Sequence, residues 1–260
     1  LDNVHFSNTY VKRNGKWQVV SCHLTRLNQK SSPNSREVTF NSRDGIKLYA
    51  DIYDSKKGKS APLIMLFHQG GGDVRGEYET IIPKLLKLGY NIIATDTRQG
   101  GTRFGTNRTM ENIKKEFSYC EAYQDLESAL DFAIKEGFTG KRIAWGSSFS
   151  AALVFQLASK RGNDLAGILG FSPASGGPMA ACKPSLYAKD VKIPALGLRP
   201  RREMRTGVIQ FAEFKKHGIQ TYVSENGVHG SSMLVKARVK GETKDHWKVV
   251  LAFIKKQVGS

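Results

Sequence analysis

"RIAWGSSFSAALVFQLAS" (Arg142–Ser159) decides how this chain is read. An apolar run meets Gly146 and then three serines within four positions, and small residues follow at helical spacing. That is the form of a β-strand entering a sharp turn that opens a helix. A turn strained enough to expose a serine needs residues without bulk two positions to either side. Ser148 has Gly146 and Ser150 in those places. Ser147 would have Trp145 and Phe149 there, and Ser150 has no glycine at all. Ser148 is therefore the candidate nucleophile, with Ser150 standing where a second glycine is usual. The same stretch alone also fits an ordinary strand–turn–helix connection.

Working outward, strands alternate with helices. "EVTFNSRDGIKLYADIYD" is a hairpin turning at Asp44-Gly45. "PLIMLFHQ", "NIIATDTR", "RIAWGS", "LAGILGFSP", "IPALGLRP" and "IQTYVSE" are strands. "YETIIPKLLKLGY", "AYQDLESALDFAIKEG", the run after Ser148, "VIQFAEFKKHG" and "DHWKVVLAFIKKQ" are helices. This alternation predicts an α/β fold, a mostly parallel sheet with helices on both faces, spanning residues 37–260. Ligands of such sheets lie at the carboxyl ends of the strands.

The remaining site candidates are sought there. His229 stands in the loop "SENGVHGSSML" after the last strand, outside any helix. Of the other histidines, His246 falls in the terminal helix, His217 at a helix end beside Gly218, and His5 and His23 in the N-terminal segment. His68 reads as a support for the glycine loop that follows it. After "IPALGLRP" the segment "RREMRTG" offers one carboxylate, Glu203; the alternative for it is a surface carboxylate paired with neighbouring arginines. "LFHQGGGDVRGEY" puts three glycines after a strand, where backbone N–H groups can turn toward a developing oxyanion. The donors expected are the amide of Phe149 and that of Gln69 or Gly70. The loop lacks the Gly-Lys-Ser/Thr ending of a phosphate cradle.

These residues carry a resemblance. "HQGGG", "ATDTRQGG", "WGSSFSA" and "GVHGSS" follow one another in the order of the α/β-hydrolase superfamily, and the chain from Glu37 onward resembles its dienelactone-hydrolase-like and esterase branch. The resemblance implies an eight-stranded sheet and acyl transfer on carboxylic esters, with Ser148, His229 and Glu203 as nucleophile, base and acid. Two positions depart from it. Dienelactone hydrolases have cysteine where Ser148 stands, and many members have aspartate where Glu203 stands. No metal or organic cofactor is expected. A non-catalytic ligand-binding protein on the same fold, and a lactone hydrolase acting on anionic substrates, are the alternatives. Only Ala174–Lys192 separates two strands beside the site, too short for a multi-helix lid, so small soluble esters are expected.

Ahead of this domain, "VHFSNTYVKRNGKWQVVSCHLTRL" holds two β-rich runs around Asn14-Gly15, a hairpin over residues 1–28. "NQKSSPNSRE" follows as a linker over residues 29–36. "YVKRNGKWQVVSCHLTRL" resembles the closing strands of nuclear-transport-factor-2-like (SnoaL-type) domains; alternatively the hairpin adds to the domain that follows, or pairs edge to edge into a homo-oligomer. The chain begins with Leu1 rather than Met, so its natural N-terminus is expected to be missing, and localisation stays open.

The formal net charge of +17 invites an acidic partner. No recognition helix, zinc finger or aromatic-basic motif accompanies it, and no nucleic-acid partner is expected. No apolar run reaches the ~18–20 residues of a membrane span. The three cysteines are too few and scattered for a disulfide framework or metal cluster. Arginines crowd two loops at the carboxyl ends of strands: Arg98, Arg103 and Arg108, and Arg199, Arg201, Arg202 and Arg205. Arg98, Arg103, Arg199 and Arg202 are the candidate anion-binding rim. The alternative is pairing with Asp96, Glu203 and solvent.

Overall fold

Asn14 and Gly15 both take positive φ, 52° and 73°, as a two-residue type I′ turn requires. They join β1 (Val4–Arg13) to β2 (Lys16–Arg26) in an antiparallel hairpin. The computed structural model describes residues 4–26 and 35–259. The chain divides into two compact units, Leu1–Lys30 and Ser31–Ser260. The expected linker over residues 29–36 falls outside the described residues except at its end, where Arg36 already opens a strand.

The second unit is built on eight strands: β3 (Arg36–Asn41), β4 (Lys47–Tyr53), β5 (Leu63–Phe67), β6 (Asn91–Asp96), β7 (Arg142–Ser147), β8 (Gly167–Phe171), β9 (Ala195–Pro200) and β10 (Gln220–Ser224). Their order is β10-β9-β8-β7-β5-β6-β4-β3. β4 runs antiparallel to both β3 and β6, and every other pair is parallel. From β5 the chain steps to β6 on one side, and from β7 to β8 on the other. The loops leaving β5 and β7 therefore part at one point, and a crevice opens between them.

The strands are buried on both faces, which is why they read as continuous apolar runs. Along β5, Leu63, Met65 and Phe67 meet one core; Ile64 and Leu66 meet the other. The first core takes α4 (Tyr123–Lys135), α5 (Phe149–Arg161) and α6 (Met204–Lys216). The second takes α1 (Val74–Tyr78), α2 (Ile81–Lys87) and α7 (Lys244–Val258). The one-turn α3 (Arg108–Glu111) packs beside β4.

Two elements differ from the sequence reading. The helix expected over Tyr78–Tyr90 is two short ones, because Pro83 has no N–H to give and belongs in the first turn of a helix. The helix expected from Val208 starts at Met204, continuing directly from a 3₁₀ turn at Arg201–Glu203. Among the described residues no helix is long and apolar enough to cross a membrane.

Candidate active site

The turn between β7 and α5 separates the three serines. Ser147 is buried, and its Oγ accepts the N–H of Ser231 at 3.0 Å. Ser150 is buried too: its Oγ accepts the Ser147 N–H at 2.8 Å and faces the carbonyls of Phe67 and His68, each at 2.8 Å. That hydroxyl ties the ends of β5 and β7 together. Ser148 alone of the three keeps some exposure. It sits at φ 60°, ψ −112°, where an L-residue is strained. Its N–H donates to Phe171, and its carbonyl accepts from Ala152 and Ala174. Gly146 is what lets the turn close: a Cβ there would stand 2.4 Å from the Ser150 carbonyl oxygen.

His229 follows β10 and precedes a 3₁₀ turn at Gly230–Leu234. Its Nδ1 lies 2.7 Å from Oε1 of Glu203, which ends the 3₁₀ turn after β9. Burial alone would raise the Glu203 carboxyl, but His229, the Ser172 hydroxyl and Arg199 together hold it below its usual range. Two other carboxylates in these segments are committed elsewhere, Glu225 to Arg201 and Glu213 to His217 and Lys216. Ser172, which the sequence reading missed, stands at the end of β8 with φ 51°. Its Oγ accepts the Gly230 N–H at 3.0 Å, so it braces the His229 loop and Glu203 at once.

The glycine loop after β5 divides the two expected amides. The Gln69 N–H is already engaged, donating to Oε2 of Glu77 at 2.7 Å. Gly70 and Phe149 have N–H groups with no acceptor among the described residues. His68 is fully buried, its Nδ1 against the Gln69 carbonyl and its Nε2 against Thr97 and Asn107. Burial lowers its pKa and keeps it neutral.

Ser148, Phe149, His229, Gln69 and Gly70 line one cavity of about 280 Å³, with Arg103 and Tyr119 on its wall. No hydrogen bond joins Ser148 to His229 in this geometry among the described residues. Pro178 and Met179 complete the lining. They belong to a 3₁₀ turn, Gly177–Cys182, that a disulfide from Cys182 to Cys120 fastens to the segment carrying Tyr119. The sequence reading, which found the cysteines too scattered, misses this bond because its partners are 62 residues apart.

The arginine rim needs correction. Arg98 is 1% exposed and grips Asp44 and Asp125 with its guanidinium. A cation carried that deep must be matched by carboxylates, so it cannot stand at a rim. Arg199 is buried as well, bonded to Gln210, the Pro173 carbonyl and Glu203. Arg108 pairs with Asp96, Asp51 and Glu37. Arg202 is exposed but does not line the cavity. Arg103 does. Among the described residues no cluster of His, Cys, Asp and Glu could hold a metal ion.

No family model and no curated protein matches the sequence of this chain. Solved structures do match its shape. An esterase of Pyrococcus furiosus superposes with a TM-score of 0.68 at 17% identity, over 90% of this chain and 97% of that one. A Klebsiella pneumoniae protein assigned as a dienelactone hydrolase gives 0.67 at 17%, over 84% and 97%. Est1E of Butyrivibrio proteoclasticus, with ferulic acid bound, gives 0.68 at 14%, over 86% and 100%. The fold is that of the α/β-hydrolases. Within it, the strained serine follows β7 and the histidine follows β10, both at carboxyl ends of strands.

Proposed function

We propose that this chain is a serine esterase that cleaves carboxylic esters of small soluble substrates through an acyl-enzyme. One observation carries the reading. A histidine held 2.7 Å from a buried-side carboxylate opens onto the same cavity as a serine locked at positive φ.

In this reading Ser148 gives its proton to Nε2 of His229 as its Oγ attacks the ester carbonyl. Glu203 holds the imidazole through Nδ1 and stabilises the imidazolium without taking the proton. The oxyanion receives the amides of Gly70 and Phe149; Gln69, whose N–H is spent on Glu77, is not a donor. The imidazolium then protonates the leaving alcohol. Water, deprotonated by His229, attacks the acyl-enzyme and releases the acid. The small cavity and its Pro178 and Met179 wall suit a short acyl chain. Arg103 on that wall favours a substrate carrying a negative charge, the lactone-hydrolase variant of this reading.

Replacing Ser148 tests the proposal. Ser148→Ala abolishes p-nitrophenyl acetate hydrolysis and covalent labelling by a fluorophosphonate probe, a loss of up to ~10⁶-fold in kcat by analogy with other serine nucleophiles. Labelling that survives in Ser148→Ala overturns it.

A further inference from the structure

Glu77 has no evident task in that chemistry. It comes from α1 and is completely buried behind the glycine loop. Its Oε2 accepts the Gln69 N–H, while its Oε1 has no hydrogen-bond partner. Ser147 lies near enough to favour the charged form, but its hydroxyl makes no directed bond to Oε1. That oxygen faces the His229 loop: a Cβ on Gly230 would stand 3.7 Å from it. Hiding half a carboxylate without a partner costs stability, and an amide or apolar side chain would fill the space more cheaply.

Two sets of bonds around Gln69 show what it accomplishes. Glu77 draws the Gln69 N–H inward. The Gln69 carbonyl is held on its own side, accepting the Gly72 N–H at 3.1 Å and facing Nδ1 of His68 at 2.8 Å. A trans peptide is planar, so the N–H of Gly70 must point opposite that carbonyl. The orientation of the Gly70 amide is thereby fixed from both ends of residue 69.

We infer that ionised Glu77 is a positioning residue: through the Gln69 N–H it sets the Gly70 amide as the oxyanion donor. The inference rests on the acyl-transfer reading above and deepens it. Burial pushes the Glu77 carboxyl up to about 7, against the Ser147 hydroxyl, the Gln69 amide and the cations Arg238 and protonated His229, all of which favour its charged form. Arg238 reaches it from the turn before α7, bonding the Gly76 and Glu77 carbonyls, and Tyr78 beside it stays neutral because it is buried. Glu77 therefore changes charge near pH 7.

The experiment measures kcat and KM for p-nitrophenyl acetate from pH 5.5 to 9 in the wild type, Glu77→Gln and Ser148→Ala. Glu77→Gln loses about tenfold to hundredfold in kcat with KM within about twofold, the scale of a slightly misplaced catalytic group. In the wild type, log kcat falls on the acid side more steeply than slope one as Glu77 takes up its proton, because that loss adds to protonation of the general base; in Glu77→Gln the slope is one throughout. A purely structural role would scale activity equally at every pH. Unchanged kcat and acid limb in Glu77→Gln overturn the inference. If that variant does not fold, a wild-type slope of one overturns it. Hydrolysis persisting in Ser148→Ala instead overturns the acyl-transfer reading itself.

Discussion

Two glutamates meet the loop of His229 and are driven in opposite directions. Glu203 lies 2.7 Å from Nδ1 of His229, and His229, Ser172 and Arg199 hold its carboxyl below its usual range against its burial. Glu77 faces Gly230 of that loop, fully buried, with one directed partner and one orphaned oxygen, and burial raises it to about 7. Residue type is identical; the depth of burial differs, complete for Glu77 and partial for Glu203. That difference separates a carboxylate that stays charged from one that can switch.

The comparison breaks most sharply at Glu203. Glu203→Gln leaves the shape but removes the charge facing Nδ1, and kcat for p-nitrophenyl acetate should fall by roughly 10³–10⁴-fold. A loss under tenfold would mean another carboxylate orients His229.

Stability separates the pair next. Glu77 is raised above its unfolded value, so it binds a proton more tightly in the folded chain. Its contribution is fully favourable below about pH 4.5 and is lost as pH rises through about 7. Urea unfolding should show Glu77→Gln gaining on the wild type by roughly 3 kcal/mol between pH 5 and 8, the linkage value of such a shift. Glu203 is depressed, so its contribution is present above the ordinary carboxylate range and lost on acidification. Glu203→Gln should therefore show the opposite trend, its deficit against the wild type shrinking as pH drops.

A smaller effect sharpens the charge side of the site. Arg103→Ala should cost roughly tenfold in kcat/KM for a half-ester of a dicarboxylic acid relative to its neutral methyl analogue at low salt, the scale of one charged hydrogen bond. Salt beyond ~0.15 M should erode the preference, since exposed charges are screened over about 8 Å. Equal rates for both esters in the wild type would remove Arg103 from substrate recognition. Smallest of all, a chain of residues 31–260 should keep kcat within about twofold, because the site is drawn wholly from the second unit.

What the sequence discloses follows the range of the forces involved. Ser148 is legible because a crowded turn demands Gly146 two residues away, a local requirement. His229 and Glu203 are legible from their order after successive strands. Their pairing distance is not, nor is Ser172, whose partner Gly230 is 58 residues distant. Nothing in "DVRGEYE" marks Glu77 as buried and Glu79 as exposed; that depends on which way a helix of five residues faces. The arginines mislead for the same reason. Arg98 and Arg103 stand in one loop, yet Asp44 and Asp125 draw only the first inward.

The bond between Cys120 and Cys182 turns the stretch between them into a covalent ring. That ring contains α4, β7, α5 and β8, and Ser148 rides at its middle. Closing a loop of that length strips freedom from the unfolded chain, worth roughly 4 kcal/mol on an entropic account. The Ser148 turn thus sits in the part of the chain that has least to gain by coming apart. A thiol reductant hands that freedom back, so the heat resistance of this fold should follow the redox state of its surroundings.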